Sequence, residues 1–264
     1  MTMVQISRVL RQKPEGPPEF PTYRVNSIAG GKIFAEASMG FLGRVEYGRQ
    51  PGRITVRTTT DDPIAATLGC QLAGWTLGSS MISGSVRFIA KKPSFVFDKI
   101  HFDEHKMQPV ACVEGDATPA SIIAELQKRG ISSAEILMTE ENSPTQYVNI
   151  PARAIEIALF RLFMMTSMNK IRVSKAVSTV SAPLSTGDMS SILNDAIRNE
   201  GRVTLIGDFG GFKDFETLVT RNTHFSKKTF EEVMKEAGSV AKCPVELFSV
   251  AHLTVVDAGK TRVF

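Results

Sequence analysis

Hydrophobic positions along the chain change period several times, and each change marks an element. Arg53-Ile54-Thr55-Val56-Arg57-Thr58-Thr59 alternates apolar and polar residues and is rich in β-branching, which predicts a half-buried strand. Thr60-Asp61-Asp62-Pro63 breaks it. Asp61 or Asp62 is placed to cap the next run, Ile64 to Trp75, whose small and apolar residues predict a short, tightly packed helix with Pro63 where no amide is needed. Ile33 to Glu36 reads as another strand. Val110 to Glu114 reads as a buried strand, Thr118 to Lys128 as an amphipathic helix stopped at Gly130, and Ala134 to Thr139 as a strand, an order resembling βαβ. Ile150 to Met165 predicts one long helix, Ile171 to Val177 a strand, and Asp188 to Asn199 a helix with an Asp or Ser cap. Val203 to Ile206, Lys227 to Ala237 and Leu253 to Val256 then predict strand, helix and strand. The mixture predicts an α+β (mixed α/β) architecture with layered sheets.

Composition narrows the class. The 264 residues are 42% hydrophobic and 22% charged, which excludes disorder, collagen and coiled coil. That length suits one large domain or two interlocked subdomains. Residues 1–21 end in the run Pro14-Glu15-Gly16-Pro17-Pro18-Glu19-Phe20-Pro21, which predicts an extended tail, with a single domain of two interlocked subdomains over 22–264. A net charge of +4 is too small to demand a nucleic-acid partner. Cys70, Cys112 and Cys243 form no C-x-x-C spacing, so neither a disulfide framework nor a zinc knuckle is expected. The first eighteen residues lack the apolar core of a secretory signal. The apolar stretch from Ile155 to Met168 is interrupted by Arg161 and is shorter than the ~20 residues a bilayer needs. A cytoplasmic protein without a membrane partner is the expectation.

Few local patterns carry chemistry. His101-Phe102-Asp103-Glu104-His105 spaces two imidazoles by four, but the polar segment lies between strand candidates and reads as a loop without a third metal ligand. Gly207-Asp208-Phe209-Gly210-Gly211 and Gly78 to Ser85 are either turns or phosphate-cradling loops, and neither has P-loop or dinucleotide-binding spacing. The most informative feature is Arg153 and Glu156, three apart within the apolar run Asn149 to Phe160. On one helix face the pair is either a surface salt bridge or a carboxylate base oriented by a guanidinium in a semi-dry pocket.

A longer pattern surrounds these residues. Asp61-Asp62-Pro63-Ile64-Ala65-Ala66-Thr67-Leu68-Gly69-Cys70-Gln71-Leu72-Ala73-Gly74-Trp75 resembles D-x-P-x-x-A-x-L-G-x-Q-x-A-G-W of the methenyltetrahydromethanopterin cyclohydrolase family. Ser38 to Gly43 is similar to that family's C-M-G-G-L-A, and Met81 to Ala90 to its M-G-S-G-P-A-R-A-L-A. Ser143-Pro144-Thr145, Arg153-Ala154-Ile155-Glu156 and Asp257-Ala258-Gly259-Lys260-Thr261 resemble A-P-T, R-I-V-E and the ending around T-G-K-T. The resemblance implies hydrolysis of a cyclic methenyl group to the formyl form in one-carbon metabolism. It implies Glu156 as the base toward water and Arg153 as its holder. It further implies a pterin in a cleft between subdomains, contacted by Gly84, Ser85, Arg87, Gln71 and Thr145, with no metal, no separate redox cofactor and a homo-oligomer. Ile82, Ser85 and Val86 replace the family's Gly, Pro and Ala. Bulk there, crowding a close backbone approach, implies the alternative of a paralogue that binds a tetrahydromethanopterin-like compound without the parent reaction, in cofactor synthesis, carriage or regulation.

Overall fold

The structure, a computed structural model, describes residues 3–72, 75–90, 107–166, 170–238 and 242–264. In chain order these form α1 (Met3–Leu10), β1 (Thr22–Arg24), α2 (Ile28–Ser38), β2 (Gly43–Gln50), β3 (Arg53–Thr60), a π-helical segment (Ala65–Gln71), β4 (Thr76–Leu77), β5 (Ser80–Ser83) and α3 (Ser85–Ala90). Then come β6 (Val110–Glu114), α4 (Pro119–Lys128), β7 (Glu135–Thr139), α5 (Gln146–Asn149), a 3-10 turn (Pro151–Arg153) and α6 (Ala154–Met165). The remainder holds β8 (Arg172–Pro183), α7 (Met189–Glu200), β9 (Arg202–Asp208), α8 (Phe230–Ala237), β10 (His252–Asp257) and β11 (Lys260–Val263). This is the expected α+β class. The two histidines of the 101–105 segment lie outside the described residues.

One sheet runs β1-β7-β6-β5-β4, parallel from β1 to β6 and antiparallel beyond. Its parallel strands are covered on both faces, as such strands usually are. Ala111, Val113, Ile136 and Met138 pack with Ile122 and Leu126 of α4. Val110, Cys112 and Leu137 pack with Ile33, Phe34 and Ala37 of α2. Strand alternation therefore puts Glu114, the last residue of β6, on the α2 side.

The other sheet runs β11-β10-β9-β8-β3-β2, with only the β9–β10 contact parallel. Ile54 and Val56 of β3, Val180, Leu205 and Leu253 meet Ile155, Leu159 and Leu162 of α6 and Leu193 and Ile197 of α7. The alternation predicted for β3 holds, with Ile54, Val56 and Thr58 buried and Arg57 exposed.

Several expectations are corrected. Ile33 to Glu36 belongs to helix α2, capped by Ser27, whose hydroxyl accepts from the Gly30 amide at 2.9 Å. The helix and its C-cap contribute Ala35 and Met39 to one core and Ile33, Phe34 and Ala37 to another, so burial on several sides erases the 3.6-residue period. Gly31 lets it approach α5, since a Cβ there would lie 2.6 Å from the Thr145 carbonyl oxygen. The long helix from Ile150 is broken: Pro151 begins a 3-10 turn and α6 starts only at Ala154. The segment after Pro63 is a π-helix, with the Leu72 amide donating to the Thr67 carbonyl, and its N-cap is Ile64, which makes no side-chain capping bond. The proline-rich run is extended but fastened. Glu15 and Thr22 exchange backbone hydrogen bonds of 2.9 and 2.8 Å, Phe20 is buried, and Ile6 of α1 packs with Tyr23 and Val25.

Candidate active site

The break in the helix before α6 places the chemistry. Arg153 is the N-cap of α6, with φ −83° and ψ 2°, and Glu156 follows in the first turn, where the exposed amides and helix dipole favour a carboxylate. Arg153 Nε donates to Glu156 Oε2 at 2.7 Å. Arg153 Nη2 donates to the main-chain carbonyl of Gln71 at 3.3 Å, tying α6 to the end of the π-helix. Arg153 Nη1 lies 3.7 Å from Glu114 Oε1, at the carboxyl end of β6. The side chains of Arg153, Glu114 and Glu156 are 14%, 9% and 7% exposed, so this is a shielded group and not a surface salt bridge.

Two amide chains support it. Asn149 Nδ2 donates to Gln146 Oε1 at 3.1 Å, and Gln146 Nε2 donates to Glu114 Oε2 at 3.3 Å. Gln71 Nε2 donates to Ser38 Oγ at 3.1 Å, and that hydroxyl donates to the Ala35 carbonyl. Gln71 Oε1 and Asn149 Oδ1 are buried acceptors with no hydrogen bond among the described residues. Such atoms are costly unless something donates to them.

Arg87, on α3, is almost fully buried. Desolvation pushes its guanidinium down to about 10, against the pull of Cys70 and Glu156 and with repulsion from Arg153, so its field reaches the site. Burial also lowers Arg153, but Glu156 and Glu114 outweigh it and hold the guanidinium above its usual range. Cys70, at the end of the π-helix, is pushed up to about 12 by burial, which Arg87 opposes and Asp62 reinforces. Among the described residues no group of three or more His, Cys, Asp or Glu side chains is placed to hold a metal ion.

Of the residues singled out from sequence, Arg153, Glu156, Gln71 and Arg87 come together. Gly84, Ser85 and Thr145 are engaged with the main chain. The Gly84 amide donates to the Cys70 carbonyl at 2.9 Å, and Ser85 Oγ donates to the Gln108 carbonyl at 2.5 Å while accepting from the Val110 amide at 2.9 Å. Thr145 Oγ1 donates to the Val25 carbonyl at 3.0 Å. Ile82 and Val86 pack in the core with Trp75, Ala111 and Val113. Glu114, Gln146 and Ser38 were missed. A carboxylate closing the apolar run Val110 to Val113 was the available signal for the first, and the Gln146/Asn149 spacing of three for the second. A crevice of about 610 Å³ opens immediately after Glu114, lined by Gly115 to Pro119, by Arg24 to Asn26 at the end of β1 and by Thr139 to Glu141 at the end of β7. This is the carboxyl end of the parallel strands, where ligands of open α/β sheets bind.

No helix among the described residues is long and apolar enough to cross a membrane. Comparison with known proteins matches residues 24–264 to a family model described as Cyclohydrolase (MCH). The chain is 26% identical over 254 residues to the methenyltetrahydromethanopterin cyclohydrolase of Methanoregula boonei, covering 89% of this chain and 80% of that protein. It is 28% identical over 252 residues to the enzyme of the same name from Methanocella arvoryzae, covering 88% and 79% respectively. With nearly its whole length matched by the family model, and with the Arg153 and Glu156 pair set in a shielded corner, the chain belongs to the MCH cyclohydrolase family.

Proposed function

We propose that the protein hydrolyses the methenyl bridge of a tetrahydromethanopterin-type pterin to the formyl form. The observation that carries this reading is the shielded 2.7 Å contact between Arg153 and Glu156 in a chain of this family. A methenyl carbon between two nitrogens is an amidinium, already electrophilic, so a placed water and a base meet the reaction's needs. Water oxygen bonds to the carbon while Glu156 takes one water proton. The bond from carbon to one nitrogen then breaks, that nitrogen keeps the electron pair and gains a proton, and the remaining hydroxyl loses its proton to become the formyl oxygen. One proton is released overall.

The second oxygen-rich partner, Glu114, adds negative charge that attracts a cationic substrate. Gln71 Oε1 and Asn149 Oδ1 supply acceptors for ring N–H donors, Arg87 faces the ligand's polar edge, and the crevice after Glu114 holds the part of the ligand remote from the reacting carbon. In this reading Gly84, Ser85 and Thr145 shape the wall through their main-chain contacts. Binding without hydrolysis is the less favoured reading, because Ile82 and Val86 pack into the core and Ser85 is turned to the main chain. The assay is the loss of methenyl absorbance on mixing purified protein with methenyltetrahydromethanopterin. Turnover well above buffer is expected, and Glu156→Gln should slow it by ~10²–10⁴-fold while binding changes only a few-fold. A rate equal to buffer overturns the proposal.

A further inference from the structure

The two ends of a side-chain amide have nearly the same shape and opposite chemistry, so its direction is settled by the groups it meets. Gln146 meets Glu114 Oε2 at 3.3 Å, and a carboxylate beside Arg153 only accepts, so Gln146 turns its Nε2 there. Its Oε1 is left for Asn149, which answers with Nδ2 at 3.1 Å. A second chain starts on the Ala35 main-chain carbonyl, 2.8 Å from Ser38 Oγ. Two oxygens that close need a proton between them, and only the Ser38 hydroxyl has one to give. Ser38 Oγ can then only accept from Gln71, which turns its Nε2 there at 3.1 Å.

Both chains therefore end in an oxygen. Asn149 and Gln71 are 0% and 1% exposed, and Asn149 Oδ1 and Gln71 Oε1 receive no hydrogen bond among the described residues. Both chains also run to Arg153, the first through Glu114 at 3.7 Å and the second through the Gln71 carbonyl at 3.3 Å. Neither amide can turn over to relieve its oxygen, because that would set acceptor against acceptor at Gln146 Oε1 or at Ser38 Oγ. We infer that the two chains select the ligand by its hydrogen-bond donors: Glu114, through Gln146, and Ser38 hold Asn149 and Gln71 as acceptors, so the site takes a ring edge with two N–H groups and refuses one that presents a lone pair. The pyrimidinone edge of a pterin, an exocyclic amino group beside a ring N–H, is such an edge. This deepens the proposed function and rests on its pterin being the ligand of this site.

The test is calorimetric binding, at near-neutral pH, of three uncharged rings of similar size. Pterin has both donors, pteridin-4-one lacks the amino group, and 2,4-diaminopteridine puts a lone pair at the ring nitrogen. Wild type should bind pterin about tenfold or more tightly than either of the others, because each lost donor strands a buried acceptor. Glu114→Gln places at the head of the first chain an amide that can donate or accept, so Gln146 and Asn149 can turn over. Its preference for pterin over one of the two other rings should fall to within about twofold, and Ser38→Ala, which frees Gln71, should do the same for the other ring. A merely structural role for Glu114 or Ser38 would weaken all three rings alike and leave the ratios unchanged. Equal binding of the three rings by wild type, no binding of pterin, or unchanged ratios in either folded variant overturns the inference. Should a variant not fold, the wild-type ratios decide. Turnover of methenyltetrahydromethanopterin without discrimination among the rings removes this inference and leaves the proposed function standing, and discrimination without turnover does the reverse.

Discussion

Replacing Arg153 by Met should destabilise the protein by about 3–4 kcal/mol, because it leaves the shielded carboxylates of Glu114 and Glu156 without the guanidinium they share. The distances of 2.7 Å to Glu156 and 3.7 Å to Glu114 correspond to attractions of roughly 6 and 4.5 kcal/mol at an effective dielectric near 20. Most of that gross figure is offset by the several kcal/mol needed to take the guanidinium out of water, a cost the Met variant escapes. The remainder agrees with the ~3–5 kcal/mol found when one partner of a buried pair is removed. Trp75 is the single tryptophan and is 2% exposed, so its fluorescence reports unfolding. For a chain of this size, with a urea dependence near ~3 kcal/mol per molar, the midpoint should fall by about 1 M. Arg153→Met/Glu156→Gln should recover about half of the loss, since one of the two stranded charges is gone. A midpoint within ~0.3 M of wild type, or a double variant no more stable than Arg153→Met alone, would refute the electrostatic account.

Three further outcomes follow from the packing. Gly84 has φ +102°, and a Cβ there would lie 2.3 Å from the Val110 carbonyl oxygen, so Gly84→Ala should cost about 3 kcal/mol or more in the urea assay, and a wild-type midpoint would contradict this close approach. The Cys70 thiol, pushed up to about 12 by burial, and Cys112, pushed well above its usual value for the same reason, are protonated and covered at pH 8. A disulfide reagent should therefore modify only the part-exposed Cys243 in the native protein and all three thiols in urea. Their raised values also have a sign in linkage: stability is fully present below the unfolded thiol value near 9 and is lost as pH climbs from there toward 12. Rapid modification of more than one thiol without denaturant would count against the burial.

What could be read without coordinates depended on whether the determining contacts were local. The alternation in Arg53 to Thr59 is a property of one strand with one buried face, so β3 was legible. Helix α2 was not, because its neighbours on several sides belong to distant segments and its apolar residues lose their helical period. The Arg153 and Glu156 spacing was visible as a pair, whereas the corner formed by Pro151 and the 3-10 turn, which makes Arg153 a helix cap, was hidden in a run that reads as continuous helix. Glu114 shows in the sequence only as a carboxylate closing an apolar run, without its partners. Its role comes from strand parity in a sheet whose partner strand and facing helix are set by tertiary packing.

The hairpin of β2 and β3 leaves the half of the chain that builds the five-stranded sheet and completes the six-stranded one, where Thr60 faces Ala176 and Arg53 faces Pro183. During synthesis β3 therefore emerges with a threonine-rich open edge and waits for a partner ~120 residues away, on the order of ten seconds at typical translation rates. An unpaired edge of that kind is a template for strands of other nascent chains. The same long-range pairing of β3 with β8 thus makes the newborn protein dependent on whatever shields β3 until β8 arrives.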